Sequence, residues 1–165
     1  MQVLISKVII HVTTVSGVFG TELDFQAGLN VVKAPNTSGK STSLQAVLYG
    51  LGLERMLGPR VETPFGHVLT EYLREFPDGA SLPVLESSVE IEIKNNKMET
   101  LAIHRIVKGD NDTRLVRARI RDADGSDSRR DFFLHDPGSA QREDGFHNFL
   151  ARFLGWDLPD VSTFD

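Results

Sequence analysis

Residues 34–42 read Ala-Pro-Asn-Thr-Ser-Gly-Lys-Ser-Thr, and no other stretch constrains this chain so strongly. Ahead of it, residues 28–32 (Gly-Leu-Asn-Val-Val) form a short apolar run that predicts a buried strand. Behind it, Leu44, Val47, Leu48 and Leu51 recur at helical spacing, and Gly50 and Gly52 end the run. Strand, polar loop and amphipathic helix, in that order, are what a loop wrapping an anion requires. Successive backbone N–H groups can point inward at phosphate oxygens, and Gly39 removes a Cβ where the backbone comes close. The following helix aims its unpaired N–H groups and its dipole at the same anion. Lys40 supplies a point charge for β- and γ-phosphates, and the Ser41 hydroxyl a ligand for Mg²⁺. Thr42 offers a second hydroxyl, toward the α-phosphate.

Ala34-x-x-x-x-Gly39-Lys40-Ser41 is the relaxed form of the phosphate-loop pattern, with Ala in place of the first Gly. Ala34 then needs a backbone conformation open to a Cβ, as most allowed regions are. A chance match in a surface turn is expected in roughly one sequence of this length in a hundred. The flanking strand and helix weigh against that explanation.

The rest of the chain predicts more strand than helix. Residues 3–13 are rich in β-branched side chains, and residues 18–25 alternate apolar and polar after the break at Ser16-Gly17. Residues 88–94 and 101–107 flank Asn95-Asn96 and read as a hairpin, with 115–121 as a third strand. Residues 122–130 read as a polar loop, 131–135 as a short strand, 67–76 as a short helix and 145–154 as a helix. The predicted fold class is α/β, a mixed sheet with an antiparallel subdomain over about residues 84–135 and one strand–loop–helix unit. All 165 residues are expected to form one domain.

Composition narrows the classes. Hydrophobic residues make up 40% and charged residues 25%, ordinary for a soluble globular chain. No apolar stretch approaches the roughly 18 residues of a membrane span, so no membrane partner is expected. The first dozen residues lack a basic leader, cysteines are absent, and a cytoplasmic location is expected. A net charge of −5 argues against a chain that wraps nucleic acid as a whole, though not against a local basic patch.

Two motifs could suggest a GTPase. Asp122-Ala123-Asp124-Gly125 fits a switch pattern, and Asn96-Lys97-Met98-Glu99 approaches a guanine reader. They occur in the wrong order, and turn composition explains both.

The stretch Phe25-Gln26-Ala27-Gly28-Leu29-Asn30-Val31-Val32, the loop with Asn36, and Leu44-Gln45-Ala46-Val47-Leu48-Tyr49-Gly50-Leu51-Gly52 together resemble the start of SMC, RecF and RecN type ATPases of the ABC class. The resemblance covers residues 1–53. It implies the N-terminal lobe of a phosphate-loop NTPase head that binds ATP and Mg²⁺. Carried over by position, Asn36, Thr37, Ser38, Gly39, Lys40, Ser41 and Thr42 would contact nucleotide, and Ser41 the metal. The loop's usual glycines are replaced by Ala34 and Thr37. No apolar run followed by Asp-Glu occurs, and no Leu-Ser-Gly-Gly signature. Phe132-Phe133-Leu134-His135-Asp136 is interrupted by His135, and Gln141 sits in a polar stretch. In the family those parts belong to a C-terminal lobe beyond a coiled coil. The implied partners are that lobe and a second head, with DNA repair, chromosome organisation or antiviral defence as the process. No catalytic residue is assigned within this chain, and hydrolysis by the chain alone is not expected. The alternative is a nucleotide-dependent binding module that switches a protein or DNA partner without turnover.

Arg117, Arg119 and Arg121 share one strand face with Arg114 close by, an arrangement that suits DNA contact or simple solvation beside Asp122, Asp124 and Asp127. The histidines at 11, 67, 104, 135 and 147 show no metal spacing. Phe146, Phe149, Phe153 and Trp156 read as core packing or a docking face.

Overall fold

The computed structural model describes residues 4–33, 35, 39–58, 63–74, 79–135 and 142–156. The elements are β1 (Leu4–Thr14), β2 (Gly17–Asp24), α1 (Lys40–Gly50), a 3-10 turn (Glu54–Leu57), α2 (His67–Thr70), β3 (Tyr72–Arg74), β4 (Ser81–Lys94), β5 (Thr100–Lys108), β6 (Leu115–Arg121), β7 (Asp127–Phe133) and α3 (Phe146–Leu154). The sheet runs in the order β2-β1-β4-β5-β6-β7, with β3 pairing β4, and every pairing is antiparallel.

Period-two alternation decides which face is buried. Val8, Ile10 and Val12 of β1, Val89, Ile91 and Ile93 of β4, Leu101 and Ile103 of β5, and Val116 and Ala118 of β6 all turn to one side. The helices cover that side. From α1 come Ala46, Tyr49 and Gly50; from α3 come Phe146, Leu150, Ala151 and Leu154. Phe132 of β7 packs against Phe149 and Phe146 at ring separations of 4.9 and 5.6 Å, which closes the core at that end. The other sheet face is polar and open. Among the described residues no helix is long and apolar enough to cross a membrane.

This architecture corrects the α/β expectation. The chain forms a mainly antiparallel seven-stranded sheet with three helices on one face, and not a phosphate-loop NTPase lobe whose mixed sheet is flanked by helices. The decisive difference lies at residues 28–32, which form no strand. Leu29 is 92% exposed and Val31 78%. Asn30 turns the backbone locally instead, accepting from the Gln26 N–H at 3.0 Å and donating to the Gln26 carbonyl at 2.7 Å. A buried strand needs neighbours on both edges, and none of the described strands pairs with this segment.

Smaller corrections follow from cross-strand pairing. The polar segment expected as a loop supplies most of β7, because β6 offers it an edge to pair with. β4 begins at Ser81, seven residues before the expected start, where it also pairs β3. The expected helix over 67–76 stops at Thr70, and the chain turns into β3. Both GTPase-like motifs sit in hairpin turns: the Met98 N–H bonds the Asn95 carbonyl, and the Gly125 N–H bonds that of Asp122.

Candidate phosphate-binding site

Ala34, Asn36, Thr37 and Ser38 lie outside the described residues, as do Asp136 and Gln141. Gly39, Lys40, Ser41 and Thr42 are described and stand together at the start of α1. Gly39 is the N-cap, with φ 84° and ψ 11°. That left-handed conformation, rather than crowding, is what calls for glycine, since a Cβ there would meet nothing within 4 Å. Gly39 brings no side chain to cap the helix, and α1 has no acidic residue in its first turn. The helix start therefore presents amide donors and the positive end of its dipole with no side-chain carboxylate in the turn to repel an anion. The Ser43 N–H and hydroxyl both bond the Gly39 carbonyl, at 2.9 and 3.1 Å, and so fix the turn.

Lys40 is exposed and donates to the Pro35 carbonyl at 2.6 Å. Ser41 is exposed and Thr42 half-buried. Were a phosphate chain carrying Mg²⁺ to bind at this helix start, the described amides and Lys40 would face its oxygens, and the Ser41 hydroxyl would be the protein's ligand to the ion. Among the described residues no cluster of three His, Asp or Glu side chains could hold a metal without the phosphates.

Behind the loop, α1 is anchored by groups that the sequence reading missed. Gly50 lies so close to the sheet that a Cβ would stand 2.7 Å from Ile91 Cγ1. The Tyr49 hydroxyl donates to the Ile106 carbonyl at 2.7 Å, and burial pushes its pKa up to about 12, against the lowering effect of Arg105. The Arg105 guanidinium lies 3.8 Å from the centre of the Tyr49 ring. It also forks onto Glu54, with both hydrogen bonds at 3.0 Å, and donates to the Thr113 carbonyl at 2.9 Å and to the Tyr49 carbonyl. His135 Nε2 meets Glu54 Oε1 at 2.8 Å. Burial alone would raise the Glu54 pKa, but the hydrogen bonds and charge of Arg105 outweigh it and hold the carboxyl below the usual range. One signal for this cluster was readable: alternation over residues 101–107 puts Arg105 on the apolar face of its strand.

The arginine stripe is only partly as expected. Arg117, Arg119 and Arg121 do share the open face of β6. Arg114 instead pairs with Asp112 at 2.7 Å, Arg121 with Asp127 at 3.0 Å, and Arg117 donates to Asn111 at 3.2 Å. Of the expected aromatic set, Phe146 is buried, Phe149 and Phe153 are half-buried against the core, and Trp156 is 49% exposed.

Comparison with known proteins finds no matching family model, no matching curated protein and no matching solved structure. The likeness of residues 1–53 to SMC-type ATPases therefore stands on those residues alone.

Proposed function

We propose that this chain binds Mg-ATP at the loop ending in Gly39–Thr42, on an antiparallel sheet of its own, and serves as the nucleotide-binding part of an ATPase that works as SMC-type heads do. The observation that carries the reading is the left-handed Gly39 set directly before Lys40, at a helix start free of side-chain cap and carboxylate. That arrangement suits an anion, and with the Gly-Lys-Ser order a polyphosphate. Lys40 would neutralise the β- and γ-phosphates, and Ser41 would hold the Mg²⁺ that draws charge from them. Tyr49, Gly50 and the Arg105–Glu54 cluster hold α1, which opens at Gly39, against the sheet.

Two features favour a half-site over a complete enzyme. The chain contains no Asp-Glu pair after an apolar run to position an attacking water. The apolar side chains around the loop in sequence are also uncovered: Leu29 is 92% exposed, Val31 78% and Leu44 65%. Surface of that kind is suited to a further lobe and a second head. In this reading ATP draws two heads together in the cytoplasm, in the service of DNA repair, chromosome organisation or antiviral defence. The alternative, a nucleotide-dependent switch without turnover, shares the same binding step. Calorimetry of Mg-ATP with the chain and its Lys40→Ala variant tests that step, and equal affinity for both would refute it.

A further inference from the structure

The open face of the sheet carries an anomaly between β6 and β7. Three cross-strand pairs face outward there in register: Arg117 opposite Asp131, Arg119 opposite Arg129, and Arg121 opposite Asp127. The outer two pair opposite charges, as cross-strand stabilisation favours. The middle one sets two arginines opposite each other, a like-charge pairing that cross-strand energetics disfavours. Neither Arg119 nor Arg129 makes an ion pair or hydrogen bond among the described residues. Asp127 lies within the field of both, but its hydrogen bonds go to Arg121.

The surroundings form a place for a small ligand. Arg119 is opposite Ala102 on its other side, and both line an open depression of about 540 Å³. Its lining includes Glu90, His104, Arg117, Arg119, Arg129 and Asp131. His104 sits opposite Arg117, and burial lowers its pKa, so at neutral pH it can offer one N–H without adding charge. The basic patch is also short. Glu90 and Glu92 of β4 border it on one side, and Asp127 and Asp131 interrupt β7 on the other. A nucleic-acid backbone needs a continuous track of cations, whereas a compact anion needs two forks and little else.

We propose that Arg119 and Arg129 form a binding site for a compact phosphate anion, such as a phosphate monoester or pyrophosphate, separate from the loop at Lys40. The anion completes the charge ladder: each guanidinium donates to one edge of it, and the repulsion across the pair becomes attraction.

The test uses inorganic pyrophosphate as the probe and the Lys40→Ala variant of the whole chain, so that the loop cannot contribute. Side-chain Nε–Hε resonances of the arginines report the site residue by residue. The expected result is a saturable shift of Arg119 and Arg129, with little change at Arg114. Arg119→Ala or Arg129→Ala should each weaken binding at least tenfold, and Arg114→Ala by less than twofold. Arg129→Asp, which restores an opposite-charge pair, should abolish binding while raising the melting temperature, a gain that a misfolded variant could not show. The inference is overturned if pyrophosphate gives no saturable shift at these arginines, or if Arg129→Asp still binds it. It is equally overturned if duplex DNA shifts the same resonances and pyrophosphate does not compete. Because Lys40 is absent throughout, neither result bears on nucleotide binding at the loop.

Discussion

Arg105 and Glu54 meet through two parallel hydrogen bonds, both 3.0 Å long, at a point where Glu54 is 0% and Arg105 1% exposed. Charges that deep are costly to desolvate, and their mutual attraction returns the cost only while both are present. Glu54→Ala or Arg105→Ala should each lower unfolding free energy by about 3–5 kcal/mol, because each strands a buried charge. The double variant Glu54→Leu/Arg105→Met should cost clearly less than the two single losses added together. Urea unfolding of the four proteins checks this, and additive losses would show that the two groups do not act as a pair.

Stability should fall as the solution is made mildly acidic. Burial lowers the pKa of both His104 and His147, His147 despite the bond of its Nε2 to the Gly52 carbonyl at 3.2 Å. The unfolded chain takes up these protons near the ordinary 6.5, whereas the folded chain resists until lower pH. More protons are then bound unfolded than folded, so stability rises with pH across that window and is lost as pH drops through it. Glu54, held low, keeps its contribution until the pH falls below the ordinary carboxylate range. Melting temperatures measured between pH 8 and pH 5 should decline, and His147→Gln should flatten the slope.

Gly50→Ala should disturb the site from behind. The new Cβ would press on Ile91 Cγ1 and Cδ1 in the core, at a cost of about 1–3 kcal/mol. Ile91→Val removes Cδ1, so the pair Gly50→Ala/Ile91→Val should be less destabilised than additivity requires. Gly39→Ala has no neighbour to strike, and its cost comes from the left-handed backbone alone, about 1–2 kcal/mol. Thermal denaturation separates the two causes, since only the first should respond to Ile91→Val.

These cases mark what can be read from the chain and what cannot. Strands β1, β2, β5 and β6 and helix α3 follow from local periodicity, which needs no knowledge of neighbours. Helix α1 forms where expected but turns inward Ala46, Tyr49 and Gly50 instead of the Leu44–Leu51 face, and leaves Leu44 65% exposed. Residues 28–32 and 127–133 defeat it in opposite directions. The first is apolar but finds no paired edge, so Asn30 folds it into a turn. The second is polar but finds β6, and ladder hydrogen bonds override its composition. Gly39, Lys40 and Ser41 stand at the start of α1, because a helix start is set locally, while the strand expected ahead of them does not form. Glu54 is not legible at all: its partner is 51 residues away, and only the fold brings it to Arg105.

Turnover should separate a half-site from a complete enzyme. The chain by itself should hydrolyse ATP no faster than background. Supplying the proposed remaining lobe should restore hydrolysis, with activity rising more steeply than linearly in protein concentration if two heads must meet. Robust turnover by the chain alone, lost on Lys40→Ala, would contradict the half-site and make Asp136 the first carboxylate to examine.

Binding of Mg-ATP to this chain, measured by titration calorimetry beside Lys40→Ala, tests the central claim most directly. Lys40 is exposed and packs against no core, so the variant should keep its fold and melting behaviour. The account predicts measurable binding by the parent chain and a loss of at least a hundredfold in the variant, about 2.7 kcal/mol. ATP and GTP should compete at similar concentrations, since the guanine-like motif is a hairpin turn. Equal affinity of the parent and the folded variant, or no binding by the parent chain, would contradict it.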